Sequence, residues 1–212
     1  TINIGGNVSF TNNHIGNIDS ESEAMSAGGA IASWNGGSIN ITGDNVVFKG
    51  NGTKPEGTDP SWASGGAIYI DCTTEAANLD IDGATFQDNM AAMGGAVYVG
   101  GTTATIDNAV FKGNTTDYGN GGAIYSYGGY NYAGGGSDVD TSLTITDTQF
   151  NENISGYKGG AIHNQAHDGI DDSVITIIDS SFTGNRSNAL DDGTGGGAIF
   201  NQGKTNVTNT TY

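Results

Sequence analysis

Carboxylates are the residues of this chain that could most readily do chemistry. Their oxygens could ligate Ca²⁺, which takes several oxygen ligands. No spacing among these carboxylates matches an EF-hand loop, and loops whose carboxylates are simply solvated are the alternative. The sequence therefore predicts no defined metal site, and Ca²⁺ binding in the acidic loops stays an alternative. The acidic clusters lie at Asp138/Asp140, Asp168/Asp171/Asp172 and Asp191/Asp192.

Glycan cleavage is a second chemistry that carboxylates and histidines support. A glycosidase needs two carboxylates several Å apart, and His163 and His167 could assist them. The Asn-Thr-Asp, Gly-His-Gly and Arg-Ile-Lys signatures of polygalacturonase-like hydrolases are absent. A lyase acting on acidic polysaccharide needs cationic groups and a base, but the chain has only 6 Lys and Arg, which are dispersed. We therefore predict no enzyme and no cofactor, and keep a polysaccharide-active lyase or glycosidase as the alternative.

Charge and composition restrict the partners further. The 23 Asp and Glu against 6 Lys and Arg give a formal net charge of -17, which repels nucleic acid and anionic lipid. Cys72 stands alone, so an internal disulfide is excluded. No apolar run is long enough to span a membrane, so no membrane insertion is expected. The start at Thr1 lacks a leader segment, which favours a processed product or an excised piece.

Aromatic residues in two long insertions are the first candidates for ligand binding. One insertion, 52–64, contains Trp62, and the other, 125–140, contains Tyr127, Tyr130 and Tyr132 among Gly, Ser and Asn. Rigid tyrosines beside small polar residues make a composition suited to recognition, although mobile loop tips look similar. We predict that these four aromatic residues contact a ligand.

Two motifs recur six times each in strict alternation, and they define the elements that must hold these loops. The first is Phe-x-x-Asn, at Phe10/Asn13, Phe48/Asn51, Phe86/Asn89, Phe111/Asn114, Phe150/Asn153 and Phe182/Asn185. The second is Gly-Gly-Ala followed by Ile or Val, ending at Ile31, Ile68, Val97, Ile124, Ile162 and Ile199. A repeat of this kind predicts stacked units rather than a conventional domain.

A period-2 apolar segment precedes each Phe, as in Ile39/Ile41 and Leu143/Ile145. Three short strands per unit, with no helical pattern between them, predict an all-β parallel β-helix solenoid of about six coils, with the insertions as loops. The terminal Tyr212 occupies the Phe position of a seventh unit. We expect 1–212 to be a single repeat domain, part of a longer solenoid.

The repeated residues themselves are predicted to be structural. Each Phe should stack on the Phe above and below. Each Asn should lie where its strand ends and join a ladder, since Asn tolerates left-handed backbone and bonds neighbouring backbone groups. The Gly pair should mark a corner where backbone conformation or close approach excludes a Cβ.

The position after each Gly-Gly-Ala-Ile/Val motif forms a further column, because strand side chains alternate between faces. If it faces outward, it makes an exposed aromatic stripe of the kind that marks binding surfaces, so Tyr69, Tyr98 and Tyr125 are candidate ligand-binding residues. The alternative is that the aromatic side chains face inward. The column reads Ala32, Tyr69, Tyr98, Tyr125, His163 and Phe200.

A second outward column lies on the strand before each Phe. We expect it to solvate the surface, and ice binding is the third functional class because Thr ladders on β-solenoids perform it. The column reads Asn3, Asn40, Asp80, Thr105, Thr144, Thr176 and Asn206.

The alternating FxxN and GGA(I/V) motifs resemble the repeats of the chlamydial polymorphic membrane proteins and related bacterial or archaeal adhesin-like proteins. The resemblance spans residues 10–199. It implies a right-handed β-helix, secreted or at the cell surface as the passenger of an outer-membrane autotransporter or a similar virulence protein. Its partner would be a protein or glycan of a host or neighbouring cell. The family's motifs are scaffold, so the resemblance implies no catalytic residue.

Overall fold

The computed structural model describes residues 1–15, 27–53, 63–72, 77–128, 140–167, 173–188 and 195–212. These residues form short β-strands and no helix. Accordingly, no helix in this part of the chain is long and apolar enough to cross a membrane.

The strands, numbered in chain order, belong to three sheets. An eleven-stranded sheet contains β1 (Ile2–Gly5), β2 (Val8–Thr11), β4 (Ile39–Thr42), β5 (Val46–Lys49), β7 (Asn78–Gln87), β9 (Thr103–Lys112), β12 (Thr141–Thr146), β13 (Gln149–Asn151), β16 (Ser173–Ile178), β17 (Ser181–Thr183) and β20 (Lys204–Thr208). A six-stranded sheet contains β3 (Ile31–Trp34), β6 (Ile68–Asp71), β8 (Val97–Gly100), β11 (Ile124–Tyr127), β15 (Ile162–Gln165) and β19 (Ile199–Asn201). A three-stranded sheet contains β10 (Thr115–Thr116), β14 (Ile154–Ser155) and β18 (Arg186–Ser187).

Every strand pairs in parallel with its counterpart in the next repeat. Phe10 lies opposite Phe48, which lies opposite Phe86, and Ile31 lies opposite Ile68. The same register continues through the six-stranded sheet. The described part of the chain is therefore all-β with parallel sheets, which is consistent with the predicted parallel β-helix.

The strand count per repeat differs from the prediction in the middle of the chain. There the first two strands of a repeat run together as the ten-residue strands β7 and β9. Gly83 and Asn108 interrupt them with positive φ of 73° and 50°, so the bend is made by one left-handed residue rather than by a loop.

One apolar core runs through the repeats and is built from the alternating positions of the motifs. Ile39 and Ile41 are buried, as are Leu143 and Ile145, and the residues after Gly-Gly-Ala join the same cluster. Exposure rises at the first and last repeats, where Ile2 is 41% and Val207 42% exposed. Period-2 patterning in the sequence therefore located the core correctly.

The phenylalanines of the Phe-x-x-Asn motif form one continuous column. Successive rings from Phe10 to Phe182 stack with centroids 4.7–5.0 Å apart and nearly parallel planes. Tyr212 continues the column on Phe182 at 5.4 Å, so it does stand at the Phe position of a further repeat.

The asparagines of the motif form a hydrogen-bonded ladder beside the rings. Asn13 donates from its Nδ2 to the Asn51 oxygen at 2.9 Å, and Asn153 donates in the same way to Asn185. The links between them follow the same pattern. From Asn51 to Asn185, each Nδ2 also donates to the carbonyl of the Phe one repeat earlier.

The position of these asparagines differs slightly from the expectation. The ladder does not lie at the strand ends but two residues beyond them, with Asn13 after β2, Asn51 after β5 and Asn185 after β17. Asparagine tolerates left-handed backbone, but Asn13, Asn51 and Asn185 do not adopt it. The residue before each of them has the positive φ instead, and these residues are Asn12, Gly50 and Gly184, with φ of 54°, 63° and 63°. That residue ends the strand and turns the chain, so the asparagine that follows can bond along the stack.

Burial is uneven along the ladder, which follows from stacking. Asn51 is buried because a repeat lies on each side of it. Asn13 belongs to the first repeat and is exposed, and Asn185, near the other end, is half-buried. The end asparagines therefore contribute less buried hydrogen bonding than those in the middle.

The Gly pair serves both purposes that the sequence left open. In the first five motifs the first glycine has a φ of 63–67°, a left-handed conformation that favours glycine. The second has no room there for a Cβ, because an ideal one would lie 1.9–2.2 Å from a glycine carbonyl oxygen of the next repeat. The left-handed conformation requires glycine at the first position, and the close approach of the next repeat's backbone requires it at the second.

Candidate ligand-binding surface

The predicted aromatic column lies on the outer face of the six-stranded sheet. Tyr69, Tyr98 and Tyr125 occupy matching positions on β6, β8 and β11, opposite in direction to the Ile and Val residues of the core. Their rings stack at 4.8 and 5.4 Å. The parallel register is what brings these three side chains, which are far apart in sequence, into contact.

These three tyrosines are nevertheless buried, so the expected exposed stripe is wrong. They are 0%, 7% and 4% exposed and form a second small apolar cluster, against which Ala27, Met93 and Tyr127 pack. The alternative, an inward-facing column, is wrong as well. Both faces of β6 and β8 are covered. The ligand-binding role assigned to these tyrosines stays a prediction.

Further rings extend the cluster at both ends. Trp34, 46% exposed, stacks on Tyr69 at 5.9 Å. At the other end His163 and Tyr125 meet in a T-shaped geometry, and Phe200 meets His163 in the same way. The sheet therefore carries an aromatic array whose ends are more accessible than its centre.

Tyr127 is the half-buried member of the predicted site. Its ring lies 6.3 Å from that of Tyr125 and meets His167 edge-on at 5.9 Å. Trp62, Tyr130 and Tyr132 lie outside the described residues. The same holds for all the acidic clusters except Asp140, which is exposed.

A buried carboxyl accompanies the tyrosines. Asp71 is 7% exposed, and its Oδ2 accepts a hydrogen bond of 2.9 Å from the Tyr69 hydroxyl. Its other oxygen lies beside Gly100, where a Cβ would come within 2.6 Å of it. Burial raises the pKa of Asp71 above its ordinary value, and hydrogen bonds from Tyr69 and from the Cys72 backbone oppose that rise.

Burial also changes the other titratable groups of the array. Desolvation raises the pKa of Tyr98 well above its ordinary value, and the nearby Asp71 carboxylate adds to the rise. The pKa of Tyr125 is raised for the same first reason, while its hydroxyl donates to Gln165 at 2.6 Å. Both phenols stay neutral at physiological pH, where Tyr125 donates a hydrogen bond and both rings supply apolar surface, so neither acts as a base.

His163 is equally unsuited to acid-base work at neutral pH. It is 1% exposed, and burial lowers its pKa to about 4, an effect that the bond to Gln202 opposes and the nearby Lys158 charge reinforces. Its Nε2 lies 3.2 Å from the Gln202 oxygen. Within the described ranges no three His, Cys, Asp or Glu side chains group as a metal site.

Two exposed tyrosines that belong to neither repeated motif, and that were not predicted from the sequence as candidates, lie on a different part of the surface. Tyr118 is 65% and Tyr157 43% exposed, and they follow β10 and β14 in consecutive repeats. A sequence signal existed, since each stands seven residues after the Phe of its repeat, Phe111 and Phe150. Only two of the six repeats carry a tyrosine at this position, so it does not belong to a motif that recurs in every repeat.

The polar column on the eleven-stranded sheet faces outward, as predicted. Asn40 donates to Asn3 at 2.8 Å and Thr105 to Asp80 at 2.7 Å, and the whole column shares one register. The mixture of amides, carboxylate and hydroxyls bonds within itself along the sheet.

Comparison with known proteins agrees with the architecture. Three segments, 108–127, 147–165 and 179–202, match the Chlamydia polymorphic membrane protein (Chlamydia_PMP) repeat. Each begins at a left-handed turn residue, Asn108, Asp147 or Asp179, and contains one FxxN and one GGA(I) motif. No curated protein and no solved structure matches the chain. The resemblance in the motifs is thus confirmed for these three segments, which are similar to the Chlamydia polymorphic membrane protein repeat.

Proposed function

We propose that this chain is a non-catalytic, adhesin-type segment displayed at the surface of a bacterial or archaeal cell or secreted from it. It would bind a protein or glycan of a host or neighbouring cell. The observation that carries the proposal is the match of three segments to a polymorphic membrane protein repeat. The repeat is a scaffold motif. Its phenylalanines stack on one another and its asparagines hydrogen-bond along the ladder, so these side chains serve the fold rather than catalysis.

The scaffold is proposed to be a right-handed parallel β-helix. Parallel pairing of each strand with its counterpart one repeat later supports the helix. Right-handedness is supported by the strong preference of parallel strand connections for that hand. Such a rod presents its insertions on the surface, where ligand-binding loops are commonly found.

The insertions are therefore the proposed contact region for the ligand. Tyr127, half-buried at the end of β11, connects the buried aromatic array to the insertion that contains Tyr130 and Tyr132. Trp62 belongs to the other long insertion. The net charge of -17 favours neutral or basic partners and disfavours nucleic acid and anionic lipid.

The test is a binding assay paired with a degradation screen. The purified chain is applied to epithelial and bacterial cells and to a glycan array, and in parallel it is incubated with neutral and acidic polysaccharides. We expect capture without release of reducing ends or unsaturated products. Turnover of any polymer overturns the non-catalytic assignment in favour of a lyase or glycosidase, and absence of binding to every surface overturns the adhesin assignment.

The insertion residues are tested in the same assay. Alanine at Tyr127, Tyr130 and Tyr132 should reduce capture, whereas alanine at Asn40, on the outer face of the eleven-stranded sheet, should not. If the triple variant binds as well as the unaltered chain while remaining folded, the contact region lies elsewhere on the surface.

A further inference from the structure

Tyr118 and Tyr157 are held side by side by the backbone of two consecutive repeats. The Tyr157 N–H donates to the Gly119 carbonyl at 2.9 Å. Gly156 permits this approach, because a Cβ there would come within 2.9 Å of the Tyr118 Cα and even closer to the Asp117 carbonyl. Tyr118 and Tyr157 therefore occupy neighbouring backbone positions in consecutive repeats, and both are exposed there.

Neither tyrosine ring is buried in the packing of the fold. Both are among the exposed large hydrophobic residues of the described chain. Within that part of the molecule neither ring stacks on the other or on a third ring, in contrast to Tyr69, Tyr98 and Tyr125. Two exposed aromatic residues at neighbouring backbone positions mark a candidate binding surface, and rigid tyrosines are favoured in recognition because they lose little entropy.

A buried side chain holds the turns that precede and follow Tyr118 and Tyr157 in place. The buried Thr116 hydroxyl donates to the Gly119 carbonyl at 2.9 Å and accepts from the Gly156 N–H at 3.3 Å. One hydroxyl thus joins the turns of both repeats. Holding a contact surface in place before binding lowers the entropic cost of binding.

The chemistry of this surface fits a neutral sugar. A pyranose has an apolar C–H face, which can lie on a ring, and hydroxyls, which can bond the phenol oxygens. A specific protein interface needs about 800 Å² from each partner, far more than two rings supply. The acidic field of the chain, net charge -17, repels uronate, sialylated and sulfated glycans.

We propose that Tyr118 and Tyr157 form a platform that binds a hexose ring of a neutral cell-surface glycan. This rests on the adhesin function proposed above and names its ligand class and a contact point. It differs from the insertion site at Tyr127, which lies on the six-stranded sheet.

The experiment uses the full chain and an array of neutral oligosaccharides (gluco-, manno- and galacto-series) beside sialylated and uronate-containing ones. The variants are Tyr118→Ala, Tyr157→Ala, the double variant, and Tyr118→Phe with Tyr157→Phe. Tyr212→Ala is the matched control, since Tyr212 is 71% exposed but lies at the end of the Phe column. Thermal melting of each variant confirms folding.

We expect binding to neutral oligosaccharides, weakened about tenfold or more in the double alanine variant. The double phenylalanine variant should stay within about threefold, because the ring faces persist, and Tyr212→Ala should bind as the unaltered chain does. Neutral-glycan binding that survives the double alanine change overturns the inference. So does binding confined to acidic glycans or to proteins, and in both cases the adhesin function stands. Failure to bind any glycan, protein or cell overturns both proposals.

Discussion

The side-chain oxygen of Asn114 accepts two hydrogen bonds from Asn89, one from the backbone N–H at 3.1 Å and one from Nδ2 at 2.9 Å. Asn114 Nδ2 in turn donates to the Phe86 carbonyl at 3.0 Å and to Asn153 Oδ1 at 2.9 Å. One fully buried amide thereby joins three repeats. No other side chain of similar size offers this acceptor and these two donors together.

Asn114→Ala should therefore be strongly destabilising. It leaves the Asn89 N–H and the Phe86 carbonyl without partners in the interior, at about 1–3 kcal/mol for each unsatisfied group. We expect a loss of about 3 kcal/mol or more in the free energy of unfolding, measured by urea titration. Asn40→Ala removes a more accessible amide that bonds Asn3 and should cost less than about 1 kcal/mol. Equal losses in the two variants would contradict the ladder's structural role.

Gly95→Ala tests close approach between repeats. An ideal Cβ at Gly95 would lie 2.1 Å from the Gly122 carbonyl and 2.6 Å from that of Thr115, and backbone atoms cannot move aside as a side chain can. We expect a loss of more than about 4 kcal/mol, in the range typical of severe core defects, or a failure to fold.

Gly6→Ala separates this clash from backbone strain. Gly6 has a φ of 78° but no atom within 4 Å of its Cβ position, so its substitution should cost only about 1–2 kcal/mol. Circular dichroism melts of both variants give the comparison. If Gly6→Ala is as damaging as Gly95→Ala, left-handed conformation rather than close approach governs the glycine positions.

Glu152→Gly is expected to stabilise the chain. Glu152 has a φ of 57° at the repeat position where Gly50, Gly113 and Gly184 also have positive φ. Relief of left-handed strain stabilises the folded state by about 1–2 kcal/mol. Glycine also gives the unfolded chain more conformational freedom, which offsets about half of this gain. We expect a net gain of about 0.5–1 kcal/mol in denaturant unfolding. Glu152→Ala, which removes the charge but retains the strain, should give no such gain.

His163 should make stability depend on pH. Its pKa is about 4 in the folded chain and about 6.5 when unfolded, so the unfolded state binds more protons between these values. The contribution of the neutral His163 side chain to stability should be fully present above about pH 6.5 and fall as pH decreases towards 4, by roughly 3 kcal/mol at most. The groups that face this imidazole are Tyr125, Phe200, Gln202 and Lys158.

His163→Phe keeps a ring in the array and removes the titration. Urea unfolding from pH 4 to 7 should show a smaller loss of stability at low pH in this variant than in the unaltered chain. Replacement of the exposed His14 by Phe controls for the loss of a histidine and should retain the full loss. An unchanged pH profile in His163→Phe would show that the buried imidazole is not responsible.

Much of the fold could be predicted because inward positions repeat with period 2 and must be apolar in every repeat, as at Ile39 and Ile41. The state of the tyrosine column could not. Alternation distinguishes the two faces of a strand, but it does not say whether water covers the second face, and β6 is buried on both. Burial of Tyr69 and Tyr98 depends on contacts such as Met93, which only the parallel register brings near.

The asparagine ladder was predictable in its existence but not in its detail. A side chain that recurs at one repeat position indicates contact between copies, and Asn51 does bond Asn89. The sequence could not say which residue of the turn is left-handed, because Gly50 and Asn51 both tolerate that conformation. The hydrogen bonds decide it, since an amide that serves the ladder must point along the stack.

Tyr69 and Asp71 form a coupled pair on the second face of β6. Burial raises the pKa of Asp71 and the Tyr69 hydroxyl lowers it, so Tyr69→Phe should raise it further, as followed by carboxyl ¹³C shifts during an NMR titration. The folded state then binds more protons than the unfolded state above the unfolded pKa of about 3.9. The contribution of Asp71 to stability should consequently fall as pH rises through its folded pKa, and the total loss should be larger in Tyr69→Phe than in the unaltered chain. Asp71→Asn abolishes the titration and should remove this fall. A lower or unchanged Asp71 pKa in Tyr69→Phe would mean that the phenol does not stabilise the carboxylate.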